Sequence, residues 1–494
     1  MARPRHILAI DQGTTSTRAI LFDESGHPVR TSQRELRQIF PRPGWVEHEP
    51  EEIWFATVAV CREVLKSGHD VAALGITNQR ETTLLWDRDT GLPLHNAIVW
   101  QDRRTAQACR DIAEAGHTDI INAQTGLRPD AYFSASKLAW LLNHVDGARA
   151  RAETGELAFG TVDSFLLWRL TGGDLHATDA TNASRTILFD IHKQAWSPEM
   201  LDLWDIPRAV LPEVRDSAGD FGTTQADTIG AALPIRGIAG DQQAATVGQA
   251  CFAPGMLKST FGTGCFVLMN TGANPVTSNH QLLTTIAYRL KGQTTYALEG
   301  SVFVAGAAIQ WLRDRLQVIG SAPETEQLAR SLGANNGVYM VPAFSGLGAP
   351  HWDPDARGAI LGLTRDSGIA EIARASLEAV AYQTHDLLNA MSADLGTAPN
   401  TIRVDGGMAE NDWLMQFLAD ILDITIERPQ VTETTSLGAA MLAGLGAGLY
   451  DSLEGISVQW HLDRNFNSKI TATERDNLLS CWQDAVARTL SESS

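Results

Sequence analysis

The feature that most constrains how this chain can fold is a pattern that occurs once in each half. The runs "ILAIDQGTTSTRAILFD" (7–23) and "GMLKSTFGTGCFVLMNTG" (255–272) both read as a strand, a Gly-Thr turn and a second strand. Such a run is typical of a β-hairpin. A second pair, "LPIRGIAGDQQAATVG" (233–248) and "TIRVDGGMAENDWLMQF" (401–417), leads from an apolar strand through a Gly/Asp turn into a helix. We interpret the two pairs as corresponding parts of two similarly built α/β domains around a central cleft, divided near residue 250.

The helix patterns support a layered α/β fold. "EEIWFATVAVCREVLKS" carries apolar residues at helical spacing and is followed by the strand "VAALGIT". "SGIAEIARASLEAVAYQTHDLLNAM" predicts a long amphipathic helix. "TTSLGAAMLAGLGAGLY" is rich in Ala and Gly, which predicts a helix packed closely against other backbone. Strands that alternate with helices in this way favour sheets covered by helices.

Composition narrows the class of protein. A chain of 494 residues exceeds one hydrophobic core and predicts at least two domains. The net charge of -19 and the lack of a long Lys/Arg run argue against binding of nucleic acid. The five cysteines are scattered, without a C-x-x-C pair, as expected for free thiols in a reducing compartment. The apolar run "ILAI" is too short for a signal peptide, and no window is long enough for a membrane span. These observations predict a cytoplasmic protein.

The first Gly-Thr turn has the residue types of a phosphate site. The chain contains neither a P-loop nor a G-x-G-x-x-G motif, so any nucleotide is held in another way. In "DQGTTSTR" (11–18) a carboxylate ends a strand, and hydroxyl and amide donors follow it. This grouping suits a phosphate chain and its magnesium ion, although a tight hairpin with satisfied polar groups explains it equally well. "FGTG" (261–264) repeats the device, so two turns could close on one phosphate chain.

Two other turns join a strand to a helix and carry polar groups. In "AGDQQAA", Asp241 could take a proton from a substrate hydroxyl or bind a metal ion, but an aspartate at this place also suits a helix N-cap. In "VDGGMAEN" (404–411), paired glycines could admit a flat ligand such as a nucleobase, or simply form a tight turn.

The stretch "GITNQRETTLLWD" (75–87) has two opposite charges, Arg80 and Glu81, at its centre. Neighbours on an extended chain point to opposite faces, so the two side chains should not pair with each other. The local pattern favours a solvated hairpin tip, with "NQRE" as the turn between "ALGIT" and "TTLLWD".

Taken in order, the motifs resemble the FGGY family of carbohydrate kinases along nearly the whole chain. "YFSASKLAWLLNH" (132–144) and "GAILGLTRDSGIAEIARASLE" (358–378) are similar to the two signatures of that family. Four further runs are similar to its members that phosphorylate glycerol: "NQRET", "IVWQDRRT", "GTGCFVLMNTG" and "EGSVFVAGAAIQWLRD". The resemblance implies two ribonuclease H-like (actin-like ATPase) domains, residues 1–250 with the polyol and the catalytic base and residues 251–494 with the adenosine of the nucleotide. It implies ATP and Mg²⁺ as cofactors, glycerol as the substrate, and a homo-oligomer, dimer or tetramer.

The resemblance also assigns roles to individual residues. Asp241 would be the general base, and Asp11 would hold magnesium directly or through water. The residues around glycerol would be Arg80, Glu81, Trp100, Tyr132, Asp241, Gln242 and Phe266. The residues around the nucleotide would be Thr14, Thr15, Ser16, Arg18, Thr263, Gly306, Gln310, Gly407 and Asn411. Arg80 would donate to substrate hydroxyls and Glu81 would accept from them.

Two other functions fit the sequence less well. A kinase for a larger polyol or a ketose should lack the Arg-Glu pair and Trp100. An actin- or chaperone-like ATPase should carry a peptide-binding domain or a filament surface. The segment "TTQADTIGAALPIRG" (223–237) lacks the Gly-Gly-Thr-Arg run with which some bacterial relatives bind fructose 1,6-bisphosphate, so inhibition by this sugar phosphate is in doubt.

Overall fold

Strands and helices alternate along the chain, as a computed structural model shows for residues 5–344, 346–348, 351, 353 and 355–491. The strands of the first half are β1 (His6–Gln12), β2 (Ser16–Phe22), β3 (Pro28–Glu35), β4 (Glu47–His48), β5 (Val71–Asn78), β6 (Leu84–Asp87), β7 (Ala97–Ile98), β8 (Leu157–Gly160), β9 (Ala177–Asp179), β10 (Phe189–Asp190), β11 (Ala195–Trp196), β12 (Glu213–Arg215) and β13 (Ile235–Gly240). The helices are α1 (Pro50–Leu65), α2 (Ala106–Glu114), α3 (Thr118–Thr125), α4 (Ser134–His144), α5 (Ala148–Glu153), α6 (Val162–Leu170), α7 (Ala180–Ala183), α8 (Pro198–Trp204), α9 (Ala226–Ile229) and α10 (Asp241–Gly248), with a 3-10 turn at Arg208–Val210.

The second half continues the same alternation. Its strands are β14 (Leu257–Phe261), β15 (Cys265–Gly272), β16 (Leu283–Leu290), β17 (Gln293–Val302), β18 (Tyr339–Val341), β19 (Ala359–Leu361), β20 (Thr401–Asp405), β21 (Thr425–Pro429) and β22 (Leu462–Phe466). Its helices are α11 (Gly306–Asp314), α12 (Glu324–Arg330), α13 (Ile369–Leu395), α14 (Asp412–Leu422), α15 (Thr434–Gly446), α16 (Leu453–Ser457) and α17 (Ala472–Ala487), with a 3-10 turn at Gly407–Glu410.

The two large sheets have the same topology. The first has the order β13-β5-β1-β2-β3, and the second contains the order β21-β20-β14-β15-β17 between the added strands β22 and β16. In each sheet an antiparallel hairpin, β1–β2 or β14–β15, is extended by one antiparallel strand, β3 or β17. On the other side two parallel strands follow, β5 and β13 or β20 and β21. The predicted α/β fold with two similarly built halves is confirmed, and both Gly-Thr hairpins are present.

The second predicted correspondence between the halves is wrong. β20 pairs with the hairpin strand β14, as β5 pairs with β1, so β20 corresponds to β5 and not to β13. The partner of β13 is β21, and each of these two strands leads into one of the crossing helices, α10 and α15. The turn "VDGG" after β20 therefore corresponds to the segment around Arg80 after β5. Both β13 and β20 are followed by a turn and a helix, so this local pattern does not show which strands of the two sheets correspond.

Successive side chains of β1 point to opposite faces of the first sheet, and each face packs in its own core layer. Leu8 and Ile10 pack on the side of α1 and α6. Ile7 and Ala9 pack on the opposite side against α15, which belongs to the second half of the sequence. Side chains of a strand alternate between faces, so a continuous apolar run such as this one predicts a sheet covered on both sides. One face of the second sheet packs in a cluster with α13, α14 and α17. Leu268 on the opposite face of β15 packs in the cluster that contains α10 and α15.

The three predicted helices are confirmed at α1, α13 and α15. Close packing of α15 is confirmed as well, because its backbone touches its neighbours where glycines remove the side chain. A Cβ atom on Gly75 would lie 2.2 Å from the carbonyl oxygen of Ala439, and one on Gly438 would lie 1.7 Å from that of Ala244. No side chain larger than hydrogen fits at either crossing.

Two sequence-based expectations concern the whole chain. All five cysteines are free thiols, four of them buried and Cys481 exposed. In the parts of the chain that the structure describes, none of the helices is long and apolar enough to cross a membrane.

Candidate active site between the two halves

The first Gly-Thr turn joins the acid at the end of β1 to the start of α15. Gly13 N donates to Ser16 O over 2.9 Å and closes the turn. The carboxylate of Asp11 accepts from Ser436 Oγ at 3.0 Å, and Arg18 forms an ion pair of 2.6 Å with Glu433. Burial raises the pKa of Asp11 to about 6, although Arg18 and Ser436 act in the opposite direction. Asp241 contributes to this rise, so the two carboxylates share one electrostatic environment.

The second Gly-Thr turn is built on backbone contacts with α11. Thr263 O accepts from the amides of Ala305 and Ala307, each at 3.0 Å, and Gly262 O accepts from Gly306 N at 2.9 Å. A Cβ atom on Gly306 would lie 2.6 Å from Gly262 O. The predicted nucleotide residues Thr263 and Gly306 are therefore neighbours, and the exposed Gln310 lies one turn further along α11.

The paired glycines after β20 differ in their surroundings. Gly406 has a φ of +85°, and a Cβ atom there would lie 2.6 Å from Phe261 O, so this glycine permits the close approach of two turns. Gly407 would meet no atom within 4 Å, which leaves its face open to a ligand. Asn411 caps α14, because its Oδ1 accepts from Leu414 N at 2.9 Å.

The segment 78–82 is not an exposed hairpin tip. β5 pairs with β1 and β13, whereas β6 pairs with β8, so the predicted hairpin is wrong. Arg80 and Glu81 each expose only 2% of their side chains. Their pairing was also predicted wrongly, since Arg80 Nε lies 3.7 Å from Glu81 Oε1. Glu81 has a φ of 59°, and this left-handed conformation ends the alternation on which the prediction depended.

Arg80 is held by acceptors from both halves. Its Nη1 and Nη2 atoms donate to the two oxygens of Glu299 at 2.5 and 3.1 Å, a bidentate geometry. Nη2 also donates to the hydroxyl of Tyr132 at 3.3 Å, and Nη1 to Oε1 of Gln243 at 3.3 Å. Nε lies 3.3 Å from Asp241 Oδ1. Arg80 thus connects the predicted base to a carboxylate of the second half.

Sequence reasoning missed the second arginine of this network. Arg185 is fully buried and donates to Glu81 at 2.7 Å and to Glu299 at 2.8 Å. Burial by itself would raise the pKa of Glu299, but the Arg185 and Arg80 guanidiniums outweigh it and lower this pKa to about 2. Burial raises the pKa of Glu81, against the influence of both arginines. "EGSVFVAG" already contains Glu299 within a recognised run, whereas the surroundings of Arg185 carry no comparable signal.

Asp241 is the partly exposed carboxylate at this site. It exposes 31% of its side chain, compared with 2% for Arg80 and Glu299. It is the first residue of α10, whose N-cap is Gly240, so the alternative of an N-cap is wrong. Burial of its surroundings raises the pKa of Asp241, while Arg80 and Lys258 partly offset that rise. A carboxylate with a raised pKa and an open side is suited to accept a proton.

Lys258 determines how Gln242 presents its amide. The buried ammonium donates to Gln242 Oε1 and, at 2.9 Å, to Thr260 Oγ1. Burial lowers the pKa of Lys258, but Asp405 and Asp241 favour its charged form. Because the oxygen of the amide is already engaged, the NH₂ group of Gln242 remains as the donor for another partner.

Aromatic rings from both halves form an apolar wall. The ring of Trp100 lies 5.6 Å from that of Tyr132 and 6.4 Å from that of Phe266, both in edge-to-face geometry. The indole Nε1 donates to Thr14 Oγ1 at 2.9 Å, which links the wall to the first Gly-Thr turn. An apolar wall beside charged hydrogen-bonding groups suits a small ligand with hydroxyls on a short carbon chain.

The contacts join the residues predicted around glycerol, together with Thr14, and leave other predicted residues at the margin of this group. A continuous series of contacts runs from Thr14 through Trp100 and Tyr132 to Arg80 and Asp241. Thr263, Gly306 and Gly407 lie on the side of the second half, and the exposed Thr15 and Gln310 contribute no contact used above. Among the described residues, none of the clusters of His, Cys, Asp and Glu has the three members of a protein-only metal site.

The chain is similar to known proteins along nearly its whole length. Models of the FGGY family of carbohydrate kinases match residues 6–248 (N-terminal domain) and 257–447 (C-terminal domain). Glycerol kinase from Alcanivorax borkumensis is 62% identical over 487 residues, 98% of each chain. Glycerol kinase 1 from Pseudomonas aeruginosa is 60% identical over 99% of each chain. The crystal structure of Plasmodium falciparum glycerol kinase with ADP superimposes with a TM-score of 0.93 at 38% identity, covering 99% of each chain.

Proposed function

This chain belongs to the FGGY family of carbohydrate kinases, and from that premise we propose that it transfers the γ-phosphoryl group of ATP to glycerol, forming sn-glycerol 3-phosphate and ADP. The observation that carries the proposal is 62% identity to a glycerol kinase along 98% of the chain. The reaction belongs to the catabolism of glycerol. The protein is thus an ATP:glycerol 3-phosphotransferase.

The charged and apolar groups around Arg80 form the proposed glycerol pocket. Glycerol has three hydroxyls on a short carbon chain, so its recognition needs a few charge-assisted hydrogen bonds and an apolar wall. The proposed hydrogen-bonding residues are Arg80, Glu81, Tyr132, Asp241 and Gln242. Trp100 and Phe266 supply the wall. A pocket that pairs each hydroxyl discriminates against analogues that lack one, because its own buried groups would be left without partners.

Asp241 is the proposed general base. It takes the proton of the attacking glycerol hydroxyl, the oxygen of that hydroxyl bonds to the γ-phosphorus, and the bond from phosphorus to the ADP oxygen breaks. Its partial exposure and raised pKa support this role. The enzyme contributes mainly positioning and neutralisation of charge to such a transfer.

The two Gly-Thr turns form the proposed site for the phosphates. Thr14, Thr15, Ser16 and Arg18 would contact them from the first half, and Thr263 from the second. Arg18 is paired with Glu433 in this structure, so its contact with a phosphate would require it to leave this partner. Asp11, whose carboxylate accepts a hydrogen bond from Ser436, would hold Mg²⁺ beside the hydroxyls of this turn. This grouping fits magnesium, because Mg²⁺ favours one or two carboxylates together with phosphate oxygens. When bound, magnesium would neutralise charge on the phosphates.

The adenosine would lie against the second half. Gly407 leaves open space there, and Gly306 at the start of α11 contacts the second Gly-Thr turn. The remaining proposed residues are Gln310 and Asn411. We therefore propose that residues 1–250 hold the polyol and the base, and that residues 251–494 hold the nucleoside. Closure of the cleft would exclude water and suppress hydrolysis of ATP.

We also propose a cellular location and an oligomeric state. Five free thiols fit the reducing cytoplasm. A homo-oligomer, dimer or tetramer, is proposed by analogy with the family.

A panel of substrates tests the proposed function. Purified protein with ATP and magnesium is assayed for ADP release on glycerol, pentuloses and pentitols, and the phosphorylated product is identified. We expect glycerol to give the highest kcat/KM and sn-glycerol 3-phosphate to be the product. A higher kcat/KM for a pentulose or pentitol would instead establish a kinase for larger polyols. ATP hydrolysis without any phosphorylated polyol would establish an ATPase.

A further inference from the structure

The buried carboxylate of Glu299 has no role in the function proposed above. It lies on β17 of the second half and reaches into the first, where two arginines share it. We propose that Glu299 is a positioning residue for phosphoryl transfer, which holds the two terminal nitrogens of Arg80 away from the base Asp241. The inference rests on the proposed function, since it concerns how that site is kept ready for its substrate.

The geometry shows a competition for Arg80. The terminal nitrogens of Arg80 bind both oxygens of Glu299, and the guanidinium presents only its Nε edge to Asp241, 3.3 Å away. If Glu299 were absent, the fork of Arg80 could turn toward Asp241 and bind it in the same bidentate manner. A base held so tightly would accept a proton less readily and would be less accessible to the hydroxyl of the substrate.

The charges support the same conclusion. Among the fully buried groups, Arg80 and Arg185 are balanced by Glu81 and Glu299. Removal of one buried partner leaves an uncompensated charge. The negative charge of Glu299 also raises the pKa of Asp241, so its removal would lower the pKa of the base.

The backbone that carries Glu299 is fixed to the first half. On the neighbouring strand β16, Arg289 Nε donates to Asp216 at 2.7 Å, and on β17 the hydroxyl of Tyr296 donates to Ile191 O at 2.8 Å. Glu299 is therefore anchored to the half that contains Arg80, although it belongs to the sheet of the other. Glu299 is thereby held from both halves, since on its own sheet it pairs with Leu268 of β15.

Glu299→Gln tests the proposal because it keeps the shape of the side chain and removes its charge. We expect kcat/KM for glycerol to fall by about 100-fold or more, with KM for ATP changed by less than about threefold. The acidic limb of the pH profile of kcat/KM should move to lower pH, because the pKa of Asp241 falls. Glu299→Asp keeps the charge and should lose less activity, with the acidic limb unmoved.

Glu378→Gln is the matched control. Glu378 exposes 1% of its side chain and pairs with Arg374 at 2.7 Å on α13, away from Arg80. This variant should lower Tm but leave kcat/KM for glycerol within about twofold of the unsubstituted protein. Thermal melts are recorded for all three variants. If Glu299→Gln has no cooperative melt, the proposal is tested by comparing kcat/KM for glycerol of Glu299→Asp with that of the unsubstituted protein.

Two results would overturn the proposal. In the first, Glu299→Gln keeps kcat/KM for glycerol within about twofold of the unsubstituted protein. If Glu299→Gln does not fold, the same result for Glu299→Asp overturns the proposal. In the second, Glu299→Gln weakens glycerol turnover and ATP binding equally and leaves the acidic limb unmoved, as expected of a purely structural residue. Failure of the unsubstituted protein to phosphorylate glycerol is a different result, which would reject the proposed function itself.

Discussion

Asp241 differs from the charged side chains around it in being reachable from the cleft. Arg80, Glu81 and Glu299 are buried and satisfy one another, whereas Asp241 exposes 31% of its side chain. The residues proposed to bind substrate and the residues that hold them, such as Glu299 behind Arg80, thus form two layers. The outer layer faces the cleft, and the inner layer sets its orientation.

We predict that Asp241→Asn removes most turnover and leaves the fold intact. An amide cannot take the proton of the hydroxyl, and a general base typically contributes about 10² to 10⁴-fold. Steady-state kinetics should therefore show a loss of kcat of about 1,000-fold, while titration of nucleotide into the variant gives an unchanged affinity. A near-normal kcat in a folded variant would contradict the assignment of the base.

We predict that the ionised carboxylate of Asp11 lowers the free energy of unfolding of the protein. A carboxyl group whose pKa is raised in the folded state destabilises that state wherever it is ionised. This cost is absent below about pH 4, grows between the unfolded pKa of 3.8 and the folded pKa of about 6, and is complete above it. Asp11→Asn removes the charge and can still accept the hydrogen bond of Ser436.

The variant Asp11→Asn should thus be more stable but nearly inactive. We expect its free energy of unfolding to rise by about 1 to 3 kcal/mol at pH 7.5 and to be unchanged near pH 4. Denaturant melts at the two pH values check the gain, and a kinase assay checks the loss. A fall in stability at pH 7.5 would show that the carboxylate contributes favourable contacts beyond the bond from Ser436.

At the scale of elements, the crossing of α10 and α15 brings the backbones of the two halves into contact. Gly438 allows this approach, since its Cα lies against the carbonyl group of Ala244. Gly248 has the equivalent role on the other helix, where a Cβ atom would lie 2.0 Å from Thr434 O. The crossing also sets the position of Asp241 at the start of α10 and of Ser436 near the start of α15.

Gly438→Ala should push the two helices apart. Alanine is the better helix former, so any loss of stability must come from the overlap with the carbonyl oxygen. We expect a loss of at least about 2 kcal/mol in denaturant melts, together with lower kinase activity. Gly455→Ala in α16 is the control, because its Cβ atom would meet only Ser452 Oγ, at 3.9 Å. The control should change stability by no more than about 1 kcal/mol, and an equally harmless Gly438→Ala would refute the close crossing.

Local patterns predicted which residues form the elements but not which elements become neighbours. The Gly-Thr hairpins and the helices α1, α13 and α15 depend on spacing and turn residues, and both are visible in a short window. The match of β20 to β13 failed, because the partner of a strand is decided by the whole sheet. Arg80 and Glu81 were read as exposed for the same reason: their partners Arg185 and Glu299 are about 100 and 220 residues away in the chain.

The residues of the predicted site also differ in how far the sequence reveals them. Resemblance to a family predicted a set of site residues, of which Asp241, Arg80, Tyr132, Trp100 and Thr14 are joined by contacts. It did not identify the inner residues Glu299, Arg185 and Lys258, which act through others. A buried ion pair leaves no local pattern, since each of its members alone looks like an ordinary surface charge.

At the scale of the whole molecule, the two halves interlock. α15 comes from the second half of the sequence but covers the face of the first sheet that contains Ile7 and Ala9. The hairpin of β16 and β17 belongs to the second sheet, yet Arg289 and Tyr296 attach it to the first half. Neither half therefore has a complete core without the other, even though the sequence repeats one plan twice.

We predict that the full chain unfolds in one cooperative transition and that residues 1–250 do not fold alone. Without α15, the fragment exposes a continuous apolar face of its central sheet, and exposed faces of this kind aggregate. Calorimetry of the full chain should show a single peak, and the isolated fragment should bind a hydrophobic dye without a cooperative melt. Fragments 1–250 and 251–494 expressed together should form a soluble complex, because the contacts across the division are non-covalent. A fragment 1–250 that melts cooperatively by itself, or two separate peaks for the full chain, would show that each half is an autonomous domain.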